Sequence, residues 1–173
     1  MITRSIAMFE TAIGPCGIAW GDSGVTGFQL PERDANVTRR RMTVRFPEAA
    51  EAVPPADMQQ GIDAIVALMR GECVDLAFIP LDMDGVPEFD QRVYDIARTI
   101  PAGATLTYGE VARRLGDPGA ARAVGQTLGR NPFAVIVPCH RVTAARGKTG
   151  GFSASGGAVT KLTLLAIEGA QLF

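Results

Sequence analysis

Histidine and cysteine are scarce in this chain, with one His and three Cys among 173 residues. A structural zinc site takes four such ligands, usually in closely spaced pairs. Cys16, Cys73 and Cys139 lie far apart and His140 stands beside the last of them, so a Cys/His metal centre is excluded. No cofactor motif is present either. An odd, widely spaced cysteine set argues against a disulfide framework and for reduced thiols in a cytoplasmic, reducing setting. Cys16 and Cys73 read as structural. No run approaches eighteen apolar residues, which excludes a membrane-spanning helix. The N-terminus lacks a basic-then-apolar leader, since Glu10 and polar residues interrupt it.

What is present fits a folded protein of one large or two small domains, with 47% apolar residues. The net charge of −1 hides an asymmetry. Up to Thr107 there are nine Arg against fifteen Asp and Glu, a net of −6; from Tyr108 onward eight Lys and Arg face three acids, a net of +5. A basic C-terminal half suits a polyanion such as nucleic acid. It equally suits a solvated surface that balances the acidic half.

The first thirty residues predict antiparallel strands over 6–11, 16–20 and 25–30, with Gly21-Asp22-Ser23-Gly24 as a hairpin turn. Residues 31–55, with four prolines, predict an irregular connection holding at most one short helix or strand. Its Arg39-Arg40-Arg41 run reads as a solvated face. Asp57 is placed as the N-cap of a helix whose apolar stripe is Met58, Ile62, Ile65, Val66 and Met69, ending at Gly71. Residues 76–81 form a further candidate strand. A domain boundary is expected near Asp82-Met83-Asp84-Gly85, dividing residues 1–84 from 85–173.

The second half reads as mostly helical. Pro87 opens a helix with Phe89, Val93, Ile96, Ala97 and Ile100 on its apolar face. Thr107 and Glu110 have the spacing of a capping box, each side chain accepting the other residue's backbone N–H. Asp117-Pro118 marks the next start, an N-cap followed by proline at the first helical position. Two short helices joined by about four residues make a helix-turn-helix pattern. Ala120, Ala121, Ala123 and Gly125 allow the second helix to approach a partner backbone closely, whether core or DNA. The last helix, from Ala158, is expected to bury Val159, Leu162, Leu165 and Ala166 and to close at Glu168-Gly169. The fold class is therefore α/β (α+β).

One stretch organises the whole. From Asn131-Pro132 an apolar run, residues 133–137, leads into Pro138-Cys139-His140-Arg141-Val142. Five apolar residues bounded by prolines predict a buried extended segment. Cations around Cys139 are expected to favour its thiolate, the nucleophilic form. On an extended strand, however, neighbouring side chains point to opposite faces, so adjacency alone does not join Cys139 to His140.

The string Asn131-Pro132 followed by Pro138-Cys139-His140-Arg141-Val142 resembles the active-site signature of the O6-alkylguanine-DNA alkyltransferases. Family-like motifs run in order from Phe89 to Gly169. The resemblance implies a ribonuclease H-like N-terminal domain, then a C-terminal domain with a winged helix-turn-helix and the alkyl acceptor. It implies a monomer that binds double-stranded DNA carrying O6-alkylguanine, with O4-alkylthymine as a further lesion, and needs neither cofactor nor metal. Cys139 would accept the alkyl group, His140 would deprotonate it through a water, Glu168 would orient His140, and Asn131 would support the turn. Tyr108 would donate a proton toward the leaving guanine, in a pocket with Val142, Phe152 and Ser153. Arg122 would fill the gap left by the rotated base, with Ala121, Ala123, Gly125 and Arg130 against the DNA. Phe152 stands where many relatives have tyrosine, keeping the apolar wall without the hydroxyl. Because a thioether is stable, the protein would act once. A cysteine hydrolase would instead need an oxyanion hole and turn over repeatedly. A DNA-binding regulator would have no use for Pro138-Cys139-His140.

Overall fold

A computed structural model describes residues 4–144 and 157–170. The chain forms two compact units, Met1–Met83 with Pro132–Ile136, and Asp84–Asn131 with Val137–Phe173. A single cut near residue 84 does not contain this return of Pro132–Ile136 to the first unit.

The first unit is built on a sheet of strands β1 (Ser5–Thr11), β2 (Gly14–Gly21), β3 (Gly24–Gln29) and β4 (Ala50–Glu51). Its order is β3-β2-β1-β4, antiparallel except for the short parallel β1–β4 edge. The hairpin at Asp22-Ser23 falls where the turn residues placed it. Between β3 and β4 runs helix α1 (Ala35–Arg45), so the connection over 31–55 is more ordered than its prolines suggest. Asp34 caps the helix by accepting from the Val37 amide at 2.9 Å. Only Thr38 and Met42 are buried. The Thr38 hydroxyl donates to the Asp34 carbonyl and accepts from the Glu32 amide, both at 2.9 Å, which satisfies a polar group inside the unit. Met42 lies so close over β2 that a Cβ on Gly17 would stand 2.5 Å from its Cγ. Arg39, Arg40 and Arg41 point to solvent.

Helix α2 (Ala56–Met69) buries Met58, Ile62, Ile65 and Met69. Its N-cap is Pro55, not Asp57; Asp57 sits in the first turn, where its carboxylate favours the helix dipole. No strand forms over 76–81. The Asp75 carboxylate accepts from the Ala77 amide and Ile79 N–H donates to the Leu76 carbonyl, closing a turn that leaves only an isolated bridge from Leu81 to Val25. Cys16 is buried but Cys73 is exposed, so only the first behaves as a core residue. The returning segment is held here too. Phe133 bridges Phe28, while the Phe28 amide and the Arg45 guanidinium donate to the Pro132 carbonyl at 2.9 and 3.2 Å.

The second unit comprises helices α3 (Glu88–Arg98), α4 (Tyr108–Arg114), α5 (Ala121–Gly129) and α6 (Gly157–Ile167), with a two-stranded parallel sheet of β5 (Leu106–Thr107) and β6 (Val142–Thr143). The Thr107–Glu110 capping box forms in both directions. Asp117 does not cap with its side chain, because a 3-10 turn over Pro118–Ala120 intervenes before α5 begins. Helix α3 buries Asp90 and Tyr94 beside Val93 and Ala97. Asp90 accepts two bonds from Arg130 at 2.9 Å and one from the Thr127 hydroxyl at 3.1 Å, and Tyr94 donates to the Thr127 carbonyl at 3.0 Å. These bonds tie α3 to the end of α5. On α6 the buried face is Lys161, Leu164 and Leu165, while Val159 and Leu162 are 72% and 42% exposed. Of the face expected from apolar character, Leu165 is buried, whereas Val159, Leu162 and Ala166 are exposed. Among the described residues no helix is long and apolar enough to cross a membrane.

Candidate active site

Residues 133–137 are buried but not extended. Val135 adopts φ +72°, and Ile136 N–H donates to the Ala134 carbonyl at 2.9 Å. A three-residue turn with positive φ at a β-branched residue is strained and persists only where its surroundings over-determine it. A second tight turn follows, in which Cys139 N–H donates to the Val137 carbonyl at 2.7 Å. The Asn131 side chain donates to that same carbonyl at 3.0 Å. The chain then enters a 3-10 turn, Cys139–Arg141, closed by Arg141 N–H on the Pro138 carbonyl. A turn, unlike a strand, does not send consecutive side chains to opposite faces, and Cys139, His140 and Arg141 are all buried.

Glu168, just beyond α6, is the hub of this cluster. Its Oε1 meets His140 Nε2 at 2.7 Å and accepts from Arg141 Nη2 at 2.8 Å, while Oε2 accepts from Arg141 Nε at 2.9 Å. Burial pushes the Glu168 carboxyl up, but the bonds from His140 and Arg141 outweigh burial and hold it down at about 2. An ionised carboxylate only accepts. His140 Nε2 must therefore carry a proton, which leaves Nδ1 with its lone pair. Nδ1 is buried and has no hydrogen-bond partner among the described residues. Burial lowers the His140 pKa against the pull of Glu168, so the ring rests neutral and able to accept a proton.

Cys139 does not match the expectation of a ready thiolate. Burial pushes its pKa up, and the Asn131 hydrogen bond and the Lys161 charge only partly oppose that rise. Removing an ion from water outweighs a nearby cation here. The resting state is thus a thiol beside a neutral imidazole.

The sequence reading overlooked Lys161. It is fully buried on α6, donates to the Val142 carbonyl at 2.6 Å, and stands 5.7 Å from the centre of the Tyr108 ring. Burial lowers its pKa to about 8, against the attraction of Cys139. The signal was there, since Lys161, Leu164, Leu165 and Glu168 recur at i, i+3, i+4 and i+7 on one helical face. Arg141 was likewise read only as part of the signature.

Of the remaining candidates, Val142 is buried in β6 opposite Leu106, and Tyr108 begins α4. The Tyr108 ring faces Gly125, where an added Cβ would sit 3.9 Å away. Arg122 is exposed on α5, with Ala121 and Ala123 half-buried beside it. Arg130 directs its guanidinium to Asp90, though its side chain remains 56% exposed. Phe152 and Ser153 lie outside the described residues. Among those described, no group of three or more His, Cys, Asp or Glu is placed to hold a metal.

Residues 88–170 match the family model of the 6-O-methylguanine DNA methyltransferase DNA-binding domain. A methylated-DNA–protein-cysteine methyltransferase of Mycobacterium leprae is 41% identical over 94% of this chain and 91% of its own length. A protein of the same name from Methanothermobacter thermautotrophicus is 37% identical over 90% and 80%. Among solved structures, the Mycobacterium tuberculosis O6-methylguanine methyltransferase superposes with a TM-score of 0.76 at 35% identity, covering 96% of this chain and 93% of that one. A crystal structure of the M. tuberculosis protein in complex with DNA also scores 0.76 at 35% identity, covering 95% and 92%.

Proposed function

Because this chain belongs to the 6-O-methylguanine DNA methyltransferase family, we propose that it repairs DNA by moving the alkyl group of O6-alkylguanine, or of O4-alkylthymine, onto its own Cys139. The observation that carries this reading is the cluster of Cys139 and His140 on one turn with Glu168 just beyond α6 and Asn131 just beyond α5. His140 Nδ1 takes the Cys139 proton through a bridging water, and Glu168 keeps the other ring nitrogen protonated. The thiolate attacks the alkyl carbon in line. A carbon–sulfur bond forms as the carbon–O6 bond breaks, and the electron pair leaves with the guanine. Tyr108 supplies the ring proton that the leaving base needs, and the proton held by His140 restores it. Rate comes from alignment and proton transfer, with no acyl oxyanion to stabilise.

DNA is the partner. The lesion is rotated out of the duplex, which costs least for a weakly paired base. Arg122 fills the gap from α5, whose Ala121, Ala123 and Gly125 admit the backbone closely, and Arg130 adds positive charge at its end. Val142 lines the base pocket. The protein acts as a monomer inside the cell, where a reducing setting keeps Cys139 a thiol. The thioether has no route back, so each chain repairs one lesion.

Intact-protein mass spectrometry after mixing with an O6-methylguanine duplex tests this directly. Transfer should plateau at one methyl per chain, located on Cys139, and Cys139→Ser should hold DNA without accepting methyl. Several lesions repaired per chain, or methyl on Cys16 or Cys73, would overturn the assignment.

A further inference from the structure

Alkyl transfer as described gives no task to Arg141, although its side chain makes three hydrogen bonds in the buried cluster. Its Nε and Nη2 grip both oxygens of Glu168 at 2.9 and 2.8 Å, and its Nη1 donates to the Ile100 carbonyl at 2.6 Å, just past the end of α3. The site is nearly dry, with side-chain exposures of 8% for Arg141, 3% for Glu168 and 0% for His140. A two-pronged grip fixes the plane of the carboxylate as well as its charge.

We propose that Arg141 is a positioning residue that sets the direction of proton transfer, by keeping Glu168 an ionised, acceptor-only carboxylate and so locking His140 in the tautomer protonated at Nε2. The reasoning follows from what a lone carboxylate would do there. A buried carboxylate without a cation tends to take up a proton. Protonated Glu168 would donate to His140 Nε2, and the ring would then carry its hydrogen on Nδ1. In that tautomer Nδ1 has no lone pair to receive the Cys139 proton. Arg141 prevents this by keeping the proton off Glu168. The charged and titratable groups around the ring are Glu168, Arg141, Lys161 and Cys139, while Tyr94 nearby donates its hydroxyl to the Thr127 carbonyl. Of these groups only Arg141 bonds both carboxylate oxygens.

The inference rests on the alkyl-transfer reading, but its test needs no DNA, and its tautomer readout needs no alkyl donor. His140 is the only histidine in the chain, so nitrogen-15 labelling of histidine gives a single imidazole spectrum from the full-length protein. The wild type should show Nε2 protonated and Nδ1 bare at neutral pH. Arg141→Met, similar in length but uncharged, should shift the ring toward the Nδ1–H tautomer. It should also slow reaction of Cys139 with free O6-benzylguanine by about 10²-fold or more, the range of a lost general base. Arg141→Lys keeps the charge and should restore the tautomer and part of the rate. A wild-type ring already protonated at Nδ1 would overturn the proposal even if a variant failed to fold. So would an Arg141→Met protein, folded by circular dichroism, with the wild-type tautomer and rate, or an Arg141→Lys protein no better than Arg141→Met. Failure of methyl to appear on Cys139 would sink the alkyl-transfer reading instead, and the two failures are read on different instruments.

Discussion

Replacing Lys161 by methionine should make the protein more stable and less reactive at the same time. Lys161 is fully buried, and burial lowers its pKa from 10.5 to about 8. At 1.36 kcal/mol per pH unit that gap corresponds to about 3 kcal/mol, an upper bound because solvent screening trims any Coulomb effect. Below about pH 8 the ammonium is charged in both states and the full penalty weighs on the fold. Between about 8 and 10.5 the folded amine has lost a proton that the unfolded chain still holds, so stability rises with pH on account of this group. Methionine removes the penalty but leaves the Val142 carbonyl without its 2.6 Å donor, a loss of about 1–2 kcal/mol. Lys161→Met should therefore gain about 1–2 kcal/mol at pH 7, and by pH 10.5 this should reverse to a loss of about 1–2 kcal/mol, the missing hydrogen bond. The cost appears in chemistry. Without the nearby cation the Cys139 thiol is harder to ionise, and reaction with O6-benzylguanine should slow. Urea unfolding of both proteins at pH 7 and pH 10, beside that rate, is the assay. Parallel stability curves across this range, or a variant less stable at pH 7, would refute the account of Lys161 as a destabilising buried charge.

Three further outcomes are expected. Asp90→Ala removes the acceptor for Arg130 and Thr127 and should cost about 2–3 kcal/mol at neutral pH, discounted for the exposed arginine. Arg130 holds the Asp90 carboxyl below its usual range, so the wild-type advantage should fade as pH drops through that lowered value; an undiminished advantage in strong acid would contradict the pairing. Arg122→Ala, on an exposed side chain, should leave the urea midpoint unchanged while slowing repair of an O6-methylguanine duplex far more than reaction with free O6-benzylguanine. Equal losses on both substrates would give Arg122 a structural role. Thr107→Ala deletes half of the capping box and should cost about 1 kcal/mol, or roughly 2–4 °C in Tm; an unchanged Tm would show that α4 is held by packing alone.

Local features were readable because their physics is local. The Asp22-Ser23 hairpin, the Thr107–Glu110 cap and the Gly169 stop each depend on a few neighbouring residues. Helix α1 was hidden because its buried positions are one threonine and one methionine, four apart, which leaves no apolar stripe to detect. Residues 76–81 looked like a strand by composition, but a strand needs a continuous partner edge, and here the pairing with Val25 is an isolated bridge at Leu81. Val135 in the left-handed region contradicts every local preference of a β-branched residue. Only the surrounding packing makes it so.

The sequence by itself determined which atoms are available for chemistry, namely one thiol beside one imidazole and one guanidinium, because those identities need no neighbours. The tertiary structure decided their charges. It brought Glu168 from 28 residues away onto His140 and from 27 onto Arg141, and it sealed all of them from water. Desolvation then set a thiol where a cation-rich sequence suggested a thiolate, and kept the imidazole neutral. Burial acts on every atom through its whole surroundings, and no local string of residues specifies it.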